Sequence, residues 1–348
     1  MSVSHRLCIA PMMERTDRHF RFLARLLAPH ARLYTEMITA RALLRGDRHR
    51  LLAYHPDEHP VALQLGGSEP DELAAAARLG EAAGYDEINL NVGCPSDRVQ
   101  AGCFGAALML EPARVARCVA AMRGAVDVPV TVKTRLGVDD HDSYEFLEGF
   151  VRTLAAAGCD TIVVHARKAW LEGLSPKENR EVPPLDYQRV YRLKAAFPEL
   201  TVIINGGLTG VEGSLAQLDR VDGVMLGRAA YQDPWLLADL HRSLFAAASG
   251  LATRTTVLET YLGYVEMQLD AGTPLRAMTR HVMGLYLRRP GGRAWRREVS
   301  QLPGGRPGLS LLTDLVARYA GETRASVGDL ATMTRPFQTS LVSRGRSA

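Results

Sequence analysis

Eight short β-type runs, each followed by a helical pattern, constrain this chain more than any other feature. They lie near Leu7–Ala10, Leu33–Glu36, Val61–Leu65, Glu87–Asn91, Val130–Lys133, Thr161–His165, Val202–Asn205 and Gly223–Leu226 and recur about every 30 residues. Between them lie amphipathic segments such as Asp71–Ala83, Ala113–Ala125, Tyr144–Ala157 and Leu185–Ala196. Ser68-Glu69-Pro70 supplies a start signal for one helix, and Gly84 and Gly158 supply stops for two. Strand then helix, eight times, with strands too apolar to face water, predicts a (β/α)8 TIM barrel. A doubly wound sheet would want G-x-G-x-x-G after its first strand, where this chain has Ala10-Pro11-Met12-Met13.

From about Ser249 the alternation stops. Thr256–Leu269, Pro274–Arg288, Arg293–Ser300 and Gly308–Ala320 are helical patterns with no strands between them. The predicted organisation is a barrel over 1–248, a small C-terminal helical domain over 249–334 and a frayed tail over 335–348.

Composition narrows the class. Apolar residues make up 47% and charged residues 23% of the 348, ordinary for a soluble globular chain. No apolar run approaches the roughly 18–20 residues of a membrane helix, and no signal-peptide core follows Met1, so a cytoplasmic protein with no membrane association is expected. The five Cys are odd in number and contain no C-x-x-C, which argues against a disulfide framework or a zinc site. Net charge is only +4, but the bases are 38 Arg against 4 Lys, so an Arg cluster must be discounted and each Lys gains interest. Residues 276–306 hold eight Arg and one acid, Glu298, with Trp295 inside Arg293-Ala294-Trp295-Arg296-Arg297. A basic helix with an aromatic suits RNA phosphate; a solvated face is the plain alternative.

In a (β/α)8 barrel the chemistry sits at the C-terminal strand ends. Here those ends read Pro11-Met12-Met13, Glu36-Met37, Gln64-Leu65, Asn91 to Cys94, Lys133-Thr134-Arg135, His165-Ala166-Arg167, Asn205-Gly206-Gly207 and Gly227-Arg228. Glycines with Arg228 after the last two strands suit a phosphate, because bare backbone N–H groups can approach an anion. Cys94 ends a strand on Gly-Cys-Pro-Ser and is placed to meet a ligand; a buried core Cys is the alternative. Lys133 interrupts an apolar strand, so it needs a partner: Glu36, or an anionic ligand.

The motifs Ala10-Pro11-Met12, Asn89-Leu90-Asn91-Val92-Gly93-Cys94-Pro95-Ser96, Val132-Lys133, Val164-His165-Ala166-Arg167, Asn205-Gly206-Gly207 and Gly227-Arg228 closely resemble those of the tRNA-dihydrouridine synthases. Thr16-Asp17-Arg18-His19, Tyr34-Thr35-Glu36-Met37, the stretch 174–185 and Arg293 to Arg297 resemble the A-type bacterial branch. The resemblance runs from about Leu7 to Arg297. It implies reduction of the C5=C6 bond of uridine at positions 20 and 20a of the tRNA D-loop, with FMN carrying electrons from NADPH, a hydride going from flavin N5 to C6. It implies Cys94 as the acid that protonates C5, with Pro11, Met12 and Met13 packing on the flavin ring. Gln64 and Lys133 would serve its polar edge, and His165 the flavin or its phosphate. Asn205, Gly206, Gly207, Gly227 and Arg228 would serve the phosphate. Asn91 would hold the uridine, Arg135 its flanking backbone, and Lys177, Arg180, Arg293 and Arg296 the rest of the tRNA. No protein partner is implied. Two alternatives remain open: an FMN barrel oxidoreductase acting on a small molecule, of the dihydroorotate dehydrogenase or ene-reductase type, and an RNA-binding barrel without catalysis.

Overall fold

The computed structural model describes residues 5–96, 104–245 and 253–332, with side chains to residue 320. The expected tail over 335–348 and Cys103 lie outside the described residues.

Nine strands form one parallel sheet. They are β1 (Leu7–Ile9), β2 (Leu33–Tyr34), β3 (Ile38–Thr39), β4 (Val61–Gly66), β5 (Glu87–Val92), β6 (Val130–Arg135), β7 (Thr161–His165), β8 (Thr201–Asn205) and β9 (Gly223–Leu226). The path runs β1-β9-β8-β7-β6-β5-β4-β2. A parallel bridge from Cys8 to Arg32, with Ile9 N–H donating to Arg32 O and Arg32 N–H to Leu7 O, brings β1 back to the residue before β2. The (β/α)8 TIM barrel expected from the strand spacing is therefore present, followed by C-terminal helices.

The expected single strand over Leu33–Glu36 is split. Leu33 and Tyr34 register with Val61 and Ala62, and Ile38 and Thr39 with Leu65 and Gly66. Between them Gln64 N–H donates to the Thr35 hydroxyl at 3.0 Å, so a side-chain oxygen takes the place of a ladder carbonyl. The chain kinks there and turns Met37 toward the open end of the barrel.

The inner wall is of two kinds. Cys8, Ala10, Tyr34, Ala62, Val163, Ile203 and Met225 form a buried, largely apolar cluster. Along β5 and β6 the same wall carries Glu87, Asn89, Asn91, Thr131, Lys133 and Arg135, while Ile88, Leu90, Val92, Val130 and Val132 alternate with them and are fully buried. Period-two alternation puts the two sets on opposite faces, so on these strands the apolar residues serve the outer helices and the polar ones the interior.

Helix 70–82 begins on Pro70, with Glu69 at the cap position and no side-chain capping bond, so Ser68 is not the cap; its carbonyl accepts from Arg114 instead. Gly84 and Gly158 take φ of +92° and +90°, the conformation their position past a helix end favours.

The chain divides into two compact units, residues 1–252 with 277–300, and 253–276 with 301–348. The reading that joined 277–300 to a helical domain differs here. Trp295 is fully buried, donates to Val282 O at 2.9 Å and packs on Tyr286. His281 meets Asp17 at 3.0 Å and the rings of Phe20 and Tyr231. The helix expected over Pro274–Arg288 ends at Thr279, and the chain goes on in turns closed by i to i−3 bonds, as from Leu285 N–H to Val282 O. In the other unit, helix Arg254–Asp270 packs on helix Gly305–Thr332, Val257, Tyr261, Leu312 and Val316 are buried, and Arg306 pairs with Glu266 and Asp270.

Candidate active site

A cavity of about 530 Å³ opens at the C-terminal ends of the strands. Fifteen of the predicted site residues line it: Pro11, Met12, Met13, Gln64, Asn91, Cys94, Lys133, Arg135, His165, Arg180, Asn205, Gly206, Gly207, Gly227 and Arg228. Lys177, Arg293 and Arg296 do not line it; all three are solvent-exposed.

Cys94 is half-buried, with Sγ 3.5 Å from Ser96 Oγ, whereas Cys8, Cys118 and Cys159 are buried. Its turn is fixed from below. The Gly93 and Cys94 N–H groups donate to Asn91 Oδ1 at 3.1 and 3.0 Å, and Asn91 Nδ2 donates to Gln64 Oε1 at 2.9 Å. Asn91 therefore holds the cysteine turn. Arg135 is 3% exposed and donates through Nε to Gly93 O at 2.9 Å. Through Nη1 it reaches Lys168 O and Asn179 O at 3.0 and 2.9 Å. It ties the cysteine turn to the loop after β7. Asn179, which the sequence reading places in the 174–185 motif without a role, organises that loop with bonds to Trp170 N–H, Trp170 O and Leu174 O and places Arg180 at the cavity. A buried Asn inside a Pro-bounded loop gives no local signal of such a role.

Lys133 Nζ donates to Asn205 Oδ1, and among the described residues no carboxylate lies within ion-pair distance of it. Glu36, the partner considered from sequence, instead accepts from the Glu14 N–H. Burial, helped by the Arg135 charge, pushes the Lys133 ammonium down to about 7, the nearby Cys94 acting the other way. Burial and then the charges of Arg135, Lys133 and Arg167 hold His165 well below the usual imidazole range, so its ring is neutral. Arg135 is brought down to about 10, chiefly by burial. The wall thus concentrates basic groups that burial discourages from being charged, an arrangement suited to an anionic ligand.

Gly206 has φ of +109°, and a Cβ there would stand 2.5 Å from the His165 ring. At Gly207 a Cβ would stand 2.3 Å from Leu185. Both positions require glycine and leave the main chain at the cavity uncovered by a side chain, with the Gly206 carbonyl accepting from the Tyr187 hydroxyl at 2.7 Å. Arg228 pairs with Glu181 and donates to Arg180 O at 3.2 Å, so it reaches an anion only in competition with a carboxylate on the neighbouring loop. Sequence reasoning missed Glu181. It also missed Glu87, Asn89 and Thr131, whose signal is the spacing of Glu87, Asn89 and Asn91 at every second residue of one strand.

The sequence profile described as dihydrouridine synthase matches residues 8–313. A tRNA-dihydrouridine(20/20a) synthase of Xanthomonas campestris is 59% identical over 300 residues, covering 86% of this chain and 88% of that protein. The proteins of the same name from Vibrio cholerae and Escherichia coli are each 55% identical, over 302 and 299 residues. Each alignment covers 86% of this chain, with 92% of the Vibrio protein and 90% of the Escherichia protein.

Proposed function

The chain belongs to the dihydrouridine synthase family of enzymes, and from that premise we propose that it reduces uridine to 5,6-dihydrouridine at positions 20 and 20a of the tRNA D-loop. The observation that carries the reading is a half-buried thiol on a fixed turn, at a cavity whose wall holds a half-buried lysine with no carboxylate partner among the described residues.

The residues present fit FMN. Lys133 is a cation in want of an anion, and the glycines after β8 leave main chain open where a side chain would collide with His165 or Leu185. When bound, the flavin supplies electrons from NADPH to the uracil C5=C6 bond. Gly206, Gly207 and Gly227, with Arg228, would hold the phosphate, Lys133 and Asn205 the electron-rich edge of the ring, and Met12 and Met13 its face.

The chain's own contribution to the chemistry is the proton. Reduction adds a hydride equivalent at C6 and a proton at C5, and the Cys94 thiol is the proton source lining the cavity. Asn91 and Arg135 hold its turn from below and from the side. The neutral His165 ring shapes the wall beside the glycines without adding charge. A uridine in a folded loop must leave its stack to reach this depth. Arg180 at the cavity, and the exposed Lys177, Arg293 and Arg296, would grip the surrounding phosphates.

Nucleoside analysis of tRNA incubated with the FMN-loaded protein and NADPH tests the proposal. Dihydrouridine mapped to positions 20 and 20a is expected. Unchanged tRNA, with NADPH consumed only when a small enone or dihydropyrimidine precursor is present, would favour the small-molecule oxidoreductase instead.

A further inference from the structure

Beneath the cavity, the inner wall of β4, β5 and β6 carries a hydrogen-bond chain that runs in one direction. The Gly93 and Cys94 N–H groups donate to Asn91 Oδ1, and Asn91 Nδ2 donates to Gln64 Oε1. Gln64 Nε2 donates to Asn89 Oδ1 at 2.7 Å, Asn89 Nδ2 to Thr131 Oγ1 at 2.8 Å, and the Thr131 hydroxyl to Glu87 Oε1 at 2.7 Å. Every donor points away from the cavity and toward Glu87. Gln64, Asn89, Thr131 and Glu87 are each no more than 1% exposed, so water cannot replace a missing link.

The direction follows from the terminus. An ionised carboxylate only accepts, so the Thr131 hydroxyl must donate to it and can then accept only from the Asn89 amide nitrogen. That turns the Asn89 oxygen toward Gln64, the Gln64 oxygen toward Asn91, and the Asn91 oxygen toward the cysteine turn. Reversed, the chain would aim the Asn91 NH2 at two backbone N–H groups, donor against donor. Glu87 is held ionised by what surrounds it. Burial alone would raise its pKa, but bonds from His5 and Thr131 and the charge of Arg32 outweigh that and keep it below the ordinary value. Tyr34 donates a further bond at 2.9 Å from outside the chain.

We infer that Glu87, at the closed end of the barrel, is a positioning residue for Cys94, acting through Thr131, Asn89, Gln64 and Asn91. It touches no substrate. Its part is to fix which way three amides face, and so the geometry of the turn that presents the thiol. The turnover arm of the test rests on the proposed role of Cys94; the geometric arm does not.

Thr131→Val and Tyr34→Phe form a matched pair, since each removes one buried bond to Glu87 and only the first lies in the chain. Three quantities are read: Tm, kcat and KM for tRNA reduction, and the rate at which iodoacetamide labels Cys94, mapped by mass spectrometry. Both variants are expected to lower Tm. Thr131→Val alone is expected to change Cys94 labelling several-fold and to lower kcat by on the order of 10- to 100-fold with KM little changed. Thr131→Ser, which keeps the hydroxyl, restores both. Glu87→Gln, isosteric but able to donate, is expected to shift labelling in the same way, and either variant alone decides if the other does not fold. Equal effects in Thr131→Val and Tyr34→Phe, or unchanged Cys94 labelling in Thr131→Val or Glu87→Gln, would overturn the inference. If the unsubstituted protein forms no dihydrouridine yet labelling separates the pair, the functional reading fails and the positioning role stands.

Discussion

Lys133 Nζ donates to Asn205 Oδ1 at 3.1 Å, and Asn205 Nδ2 donates to Met225 O at 2.7 Å. The bond to β9 fixes the Asn205 amide with its oxygen toward the ammonium. That dipole is the only acceptor the protein provides among the described residues, which is why burial can bring Lys133 from its ordinary 10.5 to about 7. In the unfolded chain the amine regains its ordinary value and binds more protons between these limits. Lys133 therefore makes the ligand-free protein more stable as pH rises from about 7 toward 10.5.

Ligand binding has the opposite sign. An electron-rich acceptor edge placed beside Lys133 favours its ammonium and raises its pKa, so above pH 7 loading takes up a proton. FMN affinity is expected to fall by up to about tenfold per pH unit between roughly pH 7.5 and 9.5. Flavin fluorescence quenching on the apoprotein reads the affinity, and calorimetry in buffers of different ionisation enthalpy reads the proton. Lys133→Met should bind more weakly and lose the pH dependence over this range.

Gly206→Ala places a methyl 2.5 Å from the His165 ring and asks a side chain to take φ of +109°. A cost of roughly 1–3 kcal/mol is expected from the backbone alone. The substitution should lower Tm and release flavin more readily on dialysis, because relief comes only by moving the loop that carries the open main chain. Retention of flavin equal to that of the unsubstituted protein would separate this loop from the cofactor.

Cys94→Ala removes the thiol without touching the bond from the Cys94 N–H to Asn91 Oδ1 or that from Arg135 Nε to Gly93 O, since both use backbone atoms of the turn. The variant is expected to purify yellow and to bind tRNA, with turnover lower by about 10²–10⁴-fold. Single-turnover oxidation of the reduced enzyme by tRNA, followed by flavin absorbance, isolates the step. A normal rate would remove the proton-donor assignment.

Arg293 and Arg296 are exposed beside the buried Trp295. Replacing either with Ala should weaken tRNA binding and reduce the slope of log affinity against log salt by about 1, with little effect on Tm. Trp295→Ala should behave differently. It removes a fully buried ring and its bond to Val282 O, and should cost about 3–5 kcal/mol of stability.

The contrast between these neighbours marks how far the sequence could be read. The strands were legible because each is a local run with its own period, and fourteen of the cavity residues because a barrel places its strand ends together; Arg180, on the loop after β7, came from the family resemblance. What stayed hidden depends on partners distant in the chain. Arg280, one of the eight Arg over 276–306, pairs with Asp17 near the other end of the sequence. The aromatic that marked the basic helix, Trp295, is fully buried and packs on Tyr286. Asn91 stands in the motif as a substrate ligand, while its bonds show the support of a turn, because the pairing of β4 with β5, Gln64 opposite Asn89, brings Gln64 beneath it. The split of the second strand was unreadable for the same reason: a threonine that completes a neighbour's ladder looks like any other β-branched residue.

The crowding of bases around Lys133 bears on the life of the protein before it ever meets a substrate. In the chain by itself the Asn205 amide and Glu181 offset only part of that crowding, and burial meets the rest by disfavouring the charged forms of Lys133 and His165. Whatever anion fills the cavity raises the cost of opening it in proportion to its own abundance. Proteolysis of the ligand-free protein would then make its steady-state amount depend on the supply of that small molecule.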